Sequence, residues 1–117
     1  MDHHNAIHDV YNAPAPRSIK TSGYTPALAD ANSVIEMNSG SGTTVTIPPN
    51  SSVAFEIGTI IIVFRMGTGT VTIAPGAGVT LWSSDGVTTS RQLAGQYSEA
   101  SVRKRDTNIW VVAGDLS

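Results

Sequence analysis

The sequence predicts an all-β protein, a compact antiparallel β-sandwich or barrel of about eight or nine short strands with an extended N-terminal arm. The first observation is a repeat, because Thr-Val-Thr-Ile stands at 44–47 and again at 70–73. Each copy is followed by one residue, a proline, three residues, and two apolar residues separated by one position. This two-residue alternation predicts strands with one buried face, joined by turns of Pro, Gly, Asn and Ser. The second observation is that Gly, Pro and β-branched residues interrupt every window long enough for an ordinary α-helix.

The composition fits one domain and argues against several classes of function. The chain has 117 residues, of which 40% are hydrophobic and only 14% are charged. A formal net charge of -2 argues against nucleic-acid binding, which needs a basic surface. The chain has no cysteine, which excludes disulfides and thiolate metal sites. The longest apolar run, at 57–64, is strand length and far short of the roughly 20 residues of a membrane span. Neither nucleic acid nor a membrane is therefore expected as a partner.

Residues 1–27 predict an extended arm, and residues 28–117 the β domain. Pro14 and Pro16 favour extended backbone at and before themselves, and a short helical turn is expected around residues 6–11. Two interpretations of this segment stay open, a disordered tail and an arm that orders on a neighbouring subunit. The second is supported by apolar anchors that a purely solvating tail does not need: Ile7, Val10, Tyr11, Ile19 and Tyr24.

Within the β domain, strands are predicted wherever short apolar or alternating runs lie between turn residues. The predicted strands are 33–37, 44–47, 53–55, 59–65, 70–73, 79–82, 88–93, 97–104 and 109–113. Residues 53–55 are expected at an edge, and 59–65, almost wholly apolar, as a central strand buried on both faces. The last two strands form a hairpin around a turn at 105–108. Trp110 is expected to anchor the core or an interface.

No pattern of residues predicts catalysis or a cofactor. His3, His4 and His8 have a spacing that could hold a metal on a helix, but they lie in the predicted arm without a fixed surrounding shell. Because these are the only histidines, a Ser-His-Asp triad in the β domain has no base. The carboxylates are scattered, and several stand in turn contexts. The predictions are therefore no metal, no cofactor, no catalytic residue and no enzymatic activity.

Two features could contact a partner. Arg103, Lys104 and Arg105 form the only basic run, which fits either a solvated hairpin tip or a contact to an acidic partner surface. Trp82 and Trp110 could each stack on a sugar ring, although packing is the favoured interpretation because both occupy strand positions. Trp82 is the first choice for a glycan contact.

Three stretches resemble a β module that is common on tailed-bacteriophage virions. They are residues 31–55 with the Thr-Val-Thr-Ile-Pro-Pro-Asn run, residues 67–79 with its second copy, and the ending from Gln96-Tyr97-Ser98-Glu99-Ala100 to Trp110-Val111-Val112-Ala113-Gly114-Asp115-Leu116. The resemblance covers residues 28–117, and its specificity lies in the order and spacing of simple motifs. In that family the module occurs on tail-fibre and receptor-binding chains and on small head proteins.

The resemblance implies a capsid decoration (cement) protein, because no fibre shaft, coiled coil or collagen-like repeat precedes the module in this sequence. Such a protein is made in the host cytoplasm and lies on the capsid exterior. There it binds the major capsid protein, commonly as a homotrimer, and stabilises the head. The N-terminal arm has no matching motif, so its role as the capsid-binding segment follows by analogy. The alternative is a receptor- or glycan-binding module of a phage tail or head fibre.

Overall fold

The computed structural model describes residues 14–117, and within them the chain is nearly all β. The predictions for the three histidines, for Ile7, Val10 and Tyr11, and for a helical turn at 6–11 lie outside these residues. One short 3-10 helix, Leu28–Asp30, accompanies nine strands, and residues 14–117 contain no α-helix. The strands are β1 Arg17–Lys20, β2 Val34–Met37, β3 Thr43–Ile47, β4 Ile60–Arg65, β5 Val71–Pro75, β6 Thr80–Trp82, β7 Arg91–Gln92, β8 Glu99–Asp106 and β9 Ile109–Gly114.

The strands form two sheets with one hydrophobic core. The larger, sheet A, has six strands in the order β1-β2-β4-β8-β9-β6, and sheet B has the order β3-β5-β7. Buried residues from both sheets belong to a single cluster, as expected of a sandwich. Trp110 is its largest buried side chain, and its ring meets Phe55 edge-on at 5.6 Å between centroids. The prediction that Trp110 is an anchor of the core is confirmed.

The predicted antiparallel arrangement is wrong for much of the fold. From β2 to β6 the chain alternates between the sheets, so successive strands of one sheet run in the same direction. The parallel pairs are β1 with β2, β2 with β4, β3 with β5, and β6 with β9. Antiparallel pairing joins β4 to β8, β8 to β9 and β5 to β7. Between β2 and β6 the chain therefore follows a short helical path through the two sheets, as in a β-solenoid. The C-terminal hairpin of β8 and β9 completes the fold.

The sequence repeat corresponds to this solenoid-like path. Its two Thr-Val-Thr-Ile runs lie on β3 and β5, which are neighbours in sheet B. Val45 pairs with Ile73 in the ladder, whereas the repeat aligns Val45 with Val71, so the register is displaced by two residues. An even displacement keeps side chains on the same face of a sheet. The apolar residues of both copies consequently remain buried.

The turns between the sheets stack closely on one another. The turn from β4 to β5 lies on the turn from β2 to β3, where Gly69 N donates to Ser39 O at 2.8 Å and Thr43 N donates to Thr70 O at 2.8 Å. A Cβ atom on Gly67 would lie 2.3 Å from Ser39 O, and one on Gly69 would lie 2.0 Å from Ser41 O. Both positions therefore need glycine because another backbone passes where a side chain would be.

Three strand predictions need correction. Residues 53–55 form no strand, because Ser52 N and Val53 N both turn back to Pro49 O, and Phe55 instead packs in the core. Strand β4 is central, but it is not buried on both faces, since its inward residues are buried while Ile60 is 42% exposed. Of the predicted strand 88–93, only Arg91–Gln92 is a strand.

The described part of residues 1–27 is attached to the domain. Strand β1 is extended, as expected of the arm, but it is hydrogen-bonded in parallel with β2 at the edge of sheet A. Tyr24 bridges to Val45 of sheet B, and its hydroxyl donates to Asp30 Oδ2 at 2.5 Å. Residues 17–24, which precede the boundary expected between residues 27 and 28, thus contact both sheets.

Candidate interaction surfaces

The outer face of sheet A is a largely apolar surface among the described residues. The inward side chains of β2, β4, β8 and β9 alternate strictly with the outward ones, and sheet B covers only the inward set. The strand register arranges the outward side chains in rows across the sheet. The first row contains Ile60, Arg103, Val111 and Trp82; the second contains Arg17, Val34, Ile62, Ser101 and Ala113; the third contains Ile19, Glu36, Phe64 and Glu99. Most of these residues are apolar, although they lie on the outside of the domain.

A shallow groove lies at one margin of this outer face. It has a volume of about 190 Å³ and is lined by Ala15, Asn32, Ser33, Ile60 and Ile62. Asn32 has a φ of 58°, and its side-chain Oδ1 accepts a hydrogen bond from Ile60 N at 3.1 Å. Because the groove is almost wholly apolar in character, it suits an apolar side chain better than a charged ligand.

Tyr97 extends the third row. Its side chain is 68% exposed, and its ring stacks on Phe64 with centroids 6.4 Å apart. The backbone φ of Tyr97 is 70°, in the left-handed region that a bulky residue seldom occupies. A backbone N–H···O bond of 2.7 Å from Tyr97 to Arg65 O holds this conformation. Strained residues of this kind concentrate at functional sites.

Trp82, the predicted glycan contact, lies at the opposite edge of the same face. It is 39% exposed, whereas its neighbour Leu81 is fully buried. The guanidinium of Arg105 lies 5.1 Å from the centre of the indole ring, within the range of a cation–π contact. One face of the ring is thus covered by Arg105, which leaves a partly exposed aromatic group beside a positive charge.

The basic run of residues 103–105 is divided by the alternation of β8. Arg103 and Arg105 are exposed on the outer face, but the Lys104 side chain points inward and is only 2% exposed. Its Nζ donates to Asn50 Oδ1 at 2.6 Å and to Phe55 O at 2.7 Å. The prediction of a surface contact at Lys104 therefore needs correction, while Arg103 and Arg105 remain available to a partner.

Lys104 could have been recognised from the sequence. Counting by two along β8 places it in phase with Ala100 and Val102, which face the core. Its burial has an electrostatic consequence, because desolvation lowers the pKa of the Lys104 amine. Asn50 is itself fixed, since its backbone N donates to Asn108 Oδ1 at 2.9 Å. This network joins the 49–58 loop to the hairpin, so we assign it a structural role.

Two other ionisable groups are held by local hydrogen bonds. The Ser83 hydroxyl donates to Asp85 Oδ1 at 2.7 Å, and this bond lowers the pKa of Asp85 together with the Val87 N–H and Arg91. The hydrogen bond with Asp30 is the main cause of a raised pKa at Tyr24. In both clusters the hydrogen bonds connect neighbouring parts of one turn.

Two further kinds of feature are absent from residues 14–117. Among residues 14–117, no three or more His, Cys, Asp or Glu side chains converge in a way that could hold a metal ion. The same residues include no helix with the length and apolar character needed to cross a membrane.

Comparison with known proteins leaves the family open. The sequence matches no protein-family model and no curated protein.

Of the predicted contact residues, Ile19 is exposed on β1, Tyr24 is half-buried against Asp30, and Ile7, Val10 and Tyr11 lie outside the described residues. The structure therefore places Ile19, Trp82 and Arg103 on one face, a grouping that sequence reasoning missed.

Proposed function

We propose that this chain is a structural protein of a phage virion, a decoration protein that binds the outside of the major capsid protein lattice and stabilises the head. The proposal rests on the resemblance of residues 28–117 to phage virion modules. Only 14% of the residues in the chain are charged, which also suits a domain whose surface is covered by partners. Binding only to the assembled lattice would stabilise the shell by mass action.

The observation that best supports capsid attachment through the N-terminal segment is the way this segment joins the fold. Hydrogen bonds to β2 fix β1 at the sheet edge, and Tyr24 is bridged to Val45. A contact made by residues 1–13 would therefore hold the whole β domain in place. In this proposal Ile7, Val10 and Tyr11 bind the capsid protein, Ile19 extends the contact, and Tyr24 secures the segment to the domain.

Deletion of residues 1–13 is expected to abolish binding to capsids of the encoding phage prepared without this protein. The thermal midpoint should stay unchanged, because every described strand remains. Deletion of residues 1–27 should also lower the midpoint, since it removes β1 and the Tyr24 bridge. Co-sedimentation with capsids and thermal unfolding measure the two effects.

A matched pair of variants separates apolar anchoring from mere length of the segment. Replacing Ile7, Val10 and Tyr11 with serine should release the protein from capsids. Replacing the nearby His3, His4 and His8 with serine should leave it bound. Full capsid occupancy by the chain without residues 1–13 would refute attachment through this segment.

The second candidate function is that of a receptor- or glycan-binding module, and Trp82 is the residue that favours it. An exposed indole beside Arg105 could stack on a sugar ring and attract an acidic sugar. Wild-type protein should then bind host-surface glycans on an array, and Trp82→Ala should lose those signals. Tyr97→Ala is the control, because it removes another exposed aromatic ring from the same face. An array without signals at high protein concentration would contradict this function.

A further inference from the structure

We propose that the outer face of sheet A binds a second copy of this chain across a two-fold axis, with β8 of one copy antiparallel to β8 of the other. This inference concerns self-association and stands whether or not the protein binds capsids. It also differs from the three copies that the resemblance implies, because it rests on the register of the strands.

Several apolar side chains of the outer face are exposed to solvent. Ile60 and Trp82 are 42% and 39% exposed, and Tyr97 is 68% exposed. Together with Val34, Ile62 and Val111 between them on the same sheet face, they form an apolar surface that is typical of a protein–protein interface. The backbone at Tyr97 is strained and places the Tyr97 ring against Phe64 on this face. Because such strain concentrates at functional sites, it supports a binding role for this aromatic pair.

The charges on the outer face identify the occupant. Glu99 lies in the third row and Arg103 in the first row, both exposed on β8. Their spacing of four residues separates them by roughly 13 Å along the strand, too far to pair within one chain. Within residues 14–117 neither forms an ion pair, whereas Arg17 and Glu36 on the same face pair with each other at 3.6 Å. On the outer face, β8 of each copy thus offers one acidic and one basic group that form no ion pair within residues 14–117.

A two-fold axis along the second row makes these groups complementary. Ser101, midway between Glu99 and Arg103, would lie near the axis, so Glu99 of each copy would meet Arg103 of the other. The same operation places Ile62 near the axis and brings Ile60 opposite Phe64 on β4. On β8 acid then meets base, and on β4 apolar meets apolar, which is the self-complementarity that a two-fold interface requires. Arg17 also lies in the second row, but it is on the edge strand β1 and is paired with Glu36 of its own chain. A three-fold packing with parallel β8 strands would instead bring Glu99 side chains together.

The test uses the full chain and measures its mass in solution by light scattering over a range of concentrations. Wild-type protein should have twice the mass of one chain. Glu99→Arg and Arg103→Glu should each raise the dimer dissociation constant about tenfold or more, because like charges would meet across the interface. The double variant should restore dimerisation. Glu56→Arg is the matched control, since it reverses an exposed acidic charge that lies outside the outer face.

Circular dichroism of each variant should show the wild-type fold, because the exchanged side chains are exposed. A monomeric wild-type protein, a trimer, or a dimer insensitive to both single reversals would overturn the inference. None of these results would alter the expectation for capsid binding by residues 1–13, which co-sedimentation measures separately.

Discussion

Gly69→Ala is expected to lower the free energy of unfolding by about 3 kcal/mol, a large effect for the addition of one methyl group. The added Cβ would lie 2.0 Å from the backbone oxygen of Ser41. Since the obstacle is backbone rather than a flexible side chain, the turn from β4 to β5 must move away from the turn beneath it. That movement would break the hydrogen bond from Gly69 N to Ser39 O. Chemical denaturation would measure the loss, and the thermal midpoint should fall by roughly 10–20 °C.

Gly40→Ala is the control for this prediction. Gly40 lies in the lower of the two stacked turns, but a Cβ at that position would find only Thr68 Oγ1, at 3.9 Å. Its substitution should change the free energy of unfolding by no more than about 0.5 kcal/mol. If Gly69→Ala and Gly40→Ala have equal effects, the close approach of the two turns is not what requires glycine at position 69.

The turn stack also shows which part of the fold the sequence could predict. Alternation along the repeat predicts the buried residues correctly, because Val45, Ile47, Val71 and Ile73 all face the core. It does not predict that β3 and β5 are parallel neighbours, since alternation records which face is buried and not the direction of the adjacent strand. The repeat was nevertheless a signal of this parallel pairing, because a β-solenoid places equivalent segments side by side.

The candidate surfaces were less predictable than the core. Exposure of Trp82 follows from its position beside Leu81, but its proximity to Arg105 depends on the parallel pairing of β6 with β9 and on the β8–β9 hairpin. The outer face combines residues from β1 to β9, which are distant in sequence. Such a surface can be assembled only when the strand order is known. Local patterns predict the elements, and their pairing determines the site.

Lys104→Ala is expected to lower the free energy of unfolding by about 2–4 kcal/mol. The substitution leaves Asn50 Oδ1 and Phe55 O without their donor and opens a cavity where a side chain only 2% exposed had been. Lys104→Met, which keeps most of the volume, should lower the free energy by a smaller amount, because only the two hydrogen bonds are lost. Lys20→Met is the control, since Lys20 is the other lysine, lies on the edge strand β1 and loses only a cation–π contact of 4.2 Å with the Tyr24 ring. An effect of Lys104→Met no larger than that of Lys20→Met would show that the buried network contributes little.

The same lysine makes stability depend on pH in a direction that can be derived. Because the folded state has the lowered pKa, the unfolded chain binds more protons between that pKa and the ordinary value of about 10.5. Stability therefore rises with pH across this window, as the penalty for burying a charged amine disappears. Tyr24 acts in the opposite direction, because its raised pKa makes stability fall as its hydroxyl ionises. Since Tyr24 is present in both proteins, the difference in unfolding free energy between wild type and Lys104→Met isolates the lysine. That difference should increase between pH 7 and pH 10, and a difference independent of pH would contradict the burial of an ionisable amine at Lys104.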